Sequence, residues 1–504
     1  MPNPMLTFHR PRRRPFACHS LGVRTGLFAL ALHPAAAVSS PAQPSRGALA
    51  NESFAITGVG LIPMTGDTLI PDATVVVRNG RIAAAGPRSR IRVPAGVRTI
   101  DGGGKYLIPG LADMHTHLFA DGPAADSLAP YELGVMLALG VTTARLMIGT
   151  TQHLALRRET AAGRLVGPQL WLASPHLTGR EDPSTSFFLA STPAEARWAV
   201  QAAADSGYDF VKVTFITPPI WDIVIDESRR RGIRVDGHVE PGVGVMRALE
   251  AGQHIQHLDS YFEAVLADDA PIETSLTQYG LFRLNNWKSM DYIDDGKIAR
   301  VAGATARSGV YSTPTLAVFN TAFAKGQTEA EIRARPDWQV LPEDHRTGYL
   351  RALRQYWAPA NDSVRTPARR QRYVQVRNAV VKAIADSGGS SRLLAGSDSP
   401  EWFLAYGWTL HRELAAFVEA GLTPYQALLT ATRNPAEFLG ALAEWGSIEV
   451  GKRADLVLLN ANPLAAIGAT LDIEAVSIGG LWLDRAERER MIRSAASRVG
   501  AGVP

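Results

Sequence analysis

The sequence predicts an α/β fold: a (β/α)8 TIM barrel with a small β-sandwich domain built from both chain ends. Three observations carry this expectation. Short apolar runs alternate with helix-like stretches through the middle of the 504-residue chain, β-rich segments flank that middle on both sides, and polar residues recur where the apolar runs stop. With 46% hydrophobic and 20% charged residues, the chain has the composition of an ordinary globular protein large enough to bury a sizeable core.

Residues 1–50 read as a leader and linker. They hold six arginines (Arg10, Arg12, Arg13, Arg14, Arg24, Arg46) and no acid, followed by the apolar run "GLFALAL" and the small residues "AAAV". That order is the order of a secretory signal, and "RRPF" is similar to a twin-arginine export signal. Cleavage after Ala37 takes the formal charge from +4 to −1, which removes the electrostatic basis for nucleic-acid binding. The expectation is an exported protein, periplasmic or secreted, with no stable membrane insertion, because a seven-residue apolar run is too short to span a bilayer. The only cysteine, Cys18, lies in the leader, so thiolate metal sites and disulfides are excluded downstream of it.

Residues 51–107 form the N-terminal part of the small domain. "FAITGVGLI", "ATVVVRNGRIAAAG" and "GVRTIDGGG" read as strands, with Asn79-Gly80 as a hairpin turn. Residues 446–504 return to it with "GSIEVGKRADLVLLN" and "IEAVSIGGLWL". Neither piece alone makes a sheet with a good core, so the two are expected to pair.

Residues 108–445 form the barrel. Its candidate strands are "YLIPGLADM", "VTTARLM", "QLWLAS", "DFVKVTF", "IRVDGHV", "QHIQHL", "GVYSTPTLAV" and "RLLAGSD". Among the helices, "TPAEARWAVQAAADSG" opens with Thr-Pro and closes at Gly. A long segment at about 319–391, rich in arginine and aromatics, is expected to form helices over the barrel mouth, either as a solvated basic face or as a lid over substrate.

The C-terminal edge of barrel strands is the productive end. Reading it in order gives His115 and His117, Lys212, His238, His257 and Asp398. Strand alternation puts His115 and His117 on one face, whereas His254 has the opposite parity to His257 and is expected to face a helix. Lys212 sits between valines in a run buried on both sides, where an unpaired ammonium is very costly. Burial lowers the pKa of an amine, and a neutral amine can add carbon dioxide to become a carbamate, a two-oxygen anion able to bridge two metals.

On these residues the chain resembles the metallo-dependent amidohydrolase superfamily over nearly its whole length after the leader. The motifs are "IPGLADMHTH", "FVKV", "GHV", "IQH", "GSD" and "GSIEVGKRADLVLL", and "GVTTARLM" with "AAGRLVGPQL" is similar to the imidazolonepropionase-related, prolidase-like branch. The resemblance implies two divalent ions, zinc being the expected metal. It puts His115 and His117 on one ion, His238 and His257 on the other, carbamylated Lys212 as the bridge, and Asp398 on the first ion and as the proton carrier. It further implies hydrolysis of an amide C–N bond by a metal-bridging hydroxide, in a dipeptide or N-acyl amino acid.

Three departures from the branch bear on specificity. "ASPHLTGRED" stands where relatives carry Gly-Gly-His, which leaves His176 or Arg180 to take that role; Val239 and Glu240 follow His238 in place of an aromatic; and Leu146 stands where an acid is common, which is expected to remove a buried acid that supports the metal ligands and so to bear on metal affinity or selectivity. The expected partner is a small-molecule amide or dipeptide, with homo-oligomerisation left open. The alternatives are a hydrolase of cyclic amides; a deaminase of the same superfamily, and against the deaminase Lys212 argues; and a catalytically silent metal-binding scaffold, against which six filled positions argue.

Overall fold

The computed structural model describes residues 53–118, 123–181, 186–240, 242–271, 284–357, 363–400 and 404–500. The leader-like segment lies outside them. Five strands come first: β1 (Phe54–Leu61), β2 (Ile70–Arg78), β3 (Arg81–Pro87), β4 (Arg98–Asp101) and β5 (Tyr106–Pro109). The parallel strands β6 (Leu111–Thr116), β7 (Val141–Leu146), β8 (Gln169–Thr178), β10 (Phe210–Thr214), β11 (Arg234–Gly237), β12 (His254–Gln256) and β13 (Ser312–Thr313) follow, with the short β9 (Phe187–Leu189) paired to β8. Strands β14 (Leu456–Leu459), β15 (Ile473–Ile478) and β16 (Leu481–Leu483) close the order.

The two chain ends share one sheet, in the order β16-β15-β14-β5-β1-β2-β3 with β4 beside β1. The join is antiparallel between β14 and β5, from Leu456↔Pro109 to Leu459↔Tyr106. Asn79 and Gly80, both with positive φ, make the tight turn between β2 and β3. A Cβ on Gly80 would lie 2.7 Å from the Gly479 carbonyl oxygen, so this turn admits the C-terminal segment only as glycine. Backbone bonds between Ile82 and residues 451 and 452 curl the sheet around Phe54, Ile56, Val75, Leu107, Leu456 and Leu458. Of the run "GSIEVGKRADLVLLN" only its end is strand; residues 446–455 are turns that carry this curl.

The run "YLIPGLADM" is two strands in two sheets. It breaks at Gly110, where a Cβ would stand 2.1 Å from Thr142 Oγ1, so the glycine lets β6 cross close to β7. The barrel then runs β6-β7-β8-β10-β11-β12-β13. Residues 393–399 fill the remaining gap: Leu394 N–H donates to Ser312 O at 3.0 Å, Met114 N–H to Ala395 O at 2.8 Å, and Asp398 N–H to His115 O at 2.7 Å. These bonds close the ring as an eighth strand.

Amphipathic helices cover the ring. Pro193–Asp205 starts at a capping box made by Thr192 and Glu195 and buries Ala196, Ala199, Val200 and Ala203 against the strands. In the long segment after β13, Pro367–Ile384 packs on Ile298–Ser308 as an ordinary barrel helix. Glu343–Tyr356 instead reaches the mouth, where Tyr349 donates to the Pro400 carbonyl. Several arginines here are paired, Arg369 with Asp291, Arg372 with Asp295 and Arg354 with Glu329. Among the described residues no helix is long and apolar enough to cross a membrane.

Candidate metal centre

The strand ends bring four imidazoles into one row. Ring centroids lie 5.2 Å apart for His117 and His115, 4.6 Å for His115 and His257, and 5.0 Å for His257 and His238. Asp398 enters from the eighth strand, with Oδ1 3.3 Å from Nε2 of both His115 and His117 and Oδ2 3.9 Å from Nδ1 of His257. Gly396 allows that approach, because a Cβ there would lie 2.6 Å from the His115 Cβ. The donor atoms of His115, His117 and Asp398 fall within 4.8 Å of one another, close enough to hold one ion.

Lys212 is fully buried at the centre of β10, in register with Asp236 of β11 and His176 of β8. Burial pushes its amine down to about 8, against the pull of Asp236, Asp398 and Asp259. Gly237 makes room for it: a Cβ there would meet the Lys212 Cδ at 3.2 Å and the Val213 carbonyl oxygen at 2.6 Å.

The second layer fixes which nitrogen carries the proton in two of the rings. Gln256 donates its amide N–H to Asp236, so its oxygen faces His115 Nδ1 at 2.6 Å and takes that proton. Asp259 Oδ2 lies 2.7 Å from His238 Nδ1, and burial raises this carboxyl well above its ordinary range, so the pair shares a proton that either partner can carry. Thr315 spends its own proton on the Pro314 carbonyl and accepts from His257 Nδ1 at 2.8 Å. Desolvation by burial, reinforced by the Lys212 charge, holds all three rings well below the ordinary histidine range, so they are neutral. His115 and His257 therefore each present a bare Nε2.

The consequence is electrostatic. His115 Nε2, which carries no proton, lies 3.3 Å from the Asp398 Oδ1 that His117 Nε2 also meets at 3.3 Å. Two electron-rich atoms repel at that distance, and a cation between them reverses the sign. These residues fit a bound divalent metal.

Several supporting residues have no signal in the sequence. Asp113 accepts N–H from His115 at 3.2 Å and from Ser397 at 2.9 Å, and burial raises it to about 6. Arg377, fully buried, donates to the His257 and Pro314 carbonyls. Gln256, Asp259 and Thr315 gave no hint of their role, because only the folded chain shows which ring each faces.

Two expectations need correction. His254 does not turn away from the barrel: it lies with Gln256 on the inner side, accepting from Tyr311 N–H at 3.2 Å and packing on Tyr311 and on Phe438, the end of a short helix. The parity argument fails because His257 and Leu258 have φ of 60° and 58°, which swings the next side chain inward as well. Leu146 packs in the helix-facing core, so the acid missing there takes nothing from beneath the imidazoles. Asp236 is the acid that lies there, paired with Arg145 at 2.5 Å.

The rim at strands three to five carries the residues that depart from the branch. Burial holds His176 well below the ordinary range, with Lys212, His238 and His117 adding to it. The Arg180 guanidinium sits 3.4 Å from the Phe215 ring centroid, and burial raises Glu240 to about 7.

A closed parallel barrel with neutral imidazoles and a carboxylate converging at its C-terminal mouth is the layout of a barrel enzyme. The amidohydrolase family model matches residues 106–483, and the chain belongs to that family. An imidazolonepropionase from Deinococcus deserti is 26% identical over 81% of this chain and 90% of its own length. One from Saccharopolyspora erythraea is 34% identical over 32% of this chain, and the match spans 40% of that protein. A crystal structure of a putative prolidase from Bifidobacterium longum superposes with a TM-score of 0.63, covering 88% of this chain and 99% of that one at 24% identity, which shows a common fold. The two sequence relatives support the imidazolonepropionase-related branch of the family.

Proposed function

We propose that this protein is a metal-dependent hydrolase of amide C–N bonds, acting on dipeptides or N-acyl amino acids. The observation that carries the reading is the bare Nε2 of His115 against the Asp398 carboxylate. His115, His117 and Asp398 would hold one ion, His238 and His257 a second, and Lys212, as its carbamate, would bridge them. Bound divalent ions, zinc being the natural fit to imidazole and carboxylate donors, supply Lewis-acid polarisation of a carbonyl and bring the pKa of water down to about 7.

The chain's own residues do the rest. Asp398 is the one carboxylate that reaches His115, His117 and His257 among the described residues, so it is placed to take a proton and return it to the leaving nitrogen. Gln256 and Thr315 keep His115 and His257 in the tautomer that leaves Nε2 available, and Asp259 holds the His238 ring. His176, Arg180 and Glu240 stand on the rim, where a substrate's side chain is chosen. The leader-like order of residues 1–50 supports export as the setting.

The test is a panel of dipeptides, N-acyl amino acids, lactams and aminopurines, scored for free amine or ammonia with and without a chelator. Chelator-sensitive release of an amine from the first two classes is expected. Release only from lactams or aminopurines would replace the substrate class, and no turnover across the panel by metal-loaded protein would favour a silent scaffold.

A further inference from the structure

Beside the mouth lies a cluster of buried N–H donors that outnumber the side-chain acceptors beside them among the described residues. Arg365 is 2% exposed, and all three of its guanidinium nitrogens are shielded from solvent without a hydrogen-bond partner. The same holds for Arg370 Nε, Trp287 Nε1 and Trp357 Nε1. These groups belong together: the Arg365 guanidinium lies 3.8 Å from the Tyr356 ring centroid and 5.0 Å from that of Trp357, and Arg370 lies 5.0 Å from Trp357. Trp287 and Arg370 also adjoin Tyr356.

Stacking on aromatic faces offsets part of the cost of burying a guanidinium, but it satisfies none of its five in-plane N–H groups. The Tyr356 hydroxyl, which Arg365 and Trp287 both approach, accepts two hydrogen bonds at most. A buried, unpaired cation is strongly unfavourable, and donors without acceptors define the shape of what is missing: a planar anion with several lone pairs.

The position of the cluster ties it to the site. Helix Glu343–Tyr356 has Tyr349 bonded to the Pro400 carbonyl, two residues past Asp398, and two turns later Tyr356 reaches the cluster. From there Trp287 stacks on Tyr373 at 5.2 Å, and Tyr373 meets Arg377, which holds the His257 carbonyl. The helix thus runs along the mouth from the exit of the eighth strand towards that of the sixth.

We propose that Arg365, with Arg370, Trp287 and Trp357, forms an anion subsite that takes the free carboxylate of the amide substrate. The subsite itself stands on the unpaired donors; its link to substrate rests on the amide-hydrolase reading above. It names the groups that would recognise the free carboxylate these amides share, and excludes their carboxamide-capped forms as good ligands.

The test is a binding measurement that needs no turnover. Calorimetry on the metal-loaded protein compares N-acetyl-L-leucine with its carboxamide, in wild type and in Arg365→Gln. Wild type should prefer the carboxylate by about 10-fold or more, as charge-assisted bonds to a guanidinium allow, and Arg365→Gln should reduce that preference about 10-fold while leaving carboxamide affinity unchanged. Any preference owed to the metal ions survives the substitution, so a preference undiminished in a folded Arg365→Gln overturns the proposal, as does equal binding of both probes by wild type. Should Arg365→Gln fail to fold, Trp287→Phe removes one donor and keeps the ring. A preference reduced about 3-fold supports the subsite, and one unchanged overturns it. Failure of the hydrolase reading appears separately, as absent amine release with carboxylate binding intact.

Discussion

Two buried ionic assemblies share the barrel interior and differ in how their charges are matched. On the floor, Arg145 meets Asp236 at 2.5 Å and the Met114 carbonyl at 2.6 Å, and Gln256 donates to the other Asp236 oxygen. The arginine and the carboxylate there are both matched without help from outside. At the mouth, two rings with their Nδ1 protons already committed, His115 and His257, turn bare nitrogens into a space they share with Asp398. The difference separates two uses of buried polarity. A network closed on itself holds the fold, whereas one open by a positive charge is built for a ligand.

The sharpest way to break this comparison is Asp398→Asn. If Asp398 carries the proton, kcat should fall by about 10²–10⁴-fold while chemical denaturation of the metal-free protein shows little change in stability, because the repulsion with His115 is relieved and the amide oxygen still meets His117. A large stability loss would put Asp398 with the floor network instead. Arg145→Met should do the reverse. It strands Asp236 uncompensated and should cost about 3–5 kcal/mol in urea unfolding, as removal of one partner of a buried pair does.

Asp259→Asn sharpens the boundary between the two assemblies. It weakens the hold on His238 without touching any proposed ligand atom, so metal affinity measured by chelator competition should fall about 10–100-fold with near-normal stability. The smallest effect concerns pH. Burial lowers His254 to about 4 from 6.5, so between those values the unfolded chain binds a proton that the folded chain refuses, and stability falls as pH drops through the window. Asp113, raised to about 6, has the opposite slope over much of that range, so the readout is the difference between wild type and His254→Gln in melts at several pH values. The variant should be relatively more stable on the acid side; parallel curves would show that His254 titrates normally.

Most of the barrel is legible in the sequence because its strands are short apolar runs ending in polar residues, as in "DFVKVTF" and "RLLAGSD". The small domain is legible at Asn79-Gly80, where the turn chemistry is local. What escapes is non-local. Whether Gly110 interrupts a strand depends on Thr142 lying 2.1 Å from a hypothetical Cβ, and nothing in "IPGLAD" states it. Parity misplaced His254 because a left-handed residue at His257 breaks the alternation on which parity rests. The imidazoles and Asp398 could be picked out as residue types that bind metals, but the rings' hydrogen-bond partners are common residues whose role exists only through facing geometry.

The account turns on whether the mouth holds cations. Elemental analysis of purified protein, with His115→Ala/His117→Ala prepared in parallel, tests this most directly. Wild type should retain divalent metal in stoichiometric amount, approaching two ions per chain, and the double variant should lose the ion held with Asp398. Wild-type protein that remains metal-free after equilibration with excess divalent ions would contradict the account.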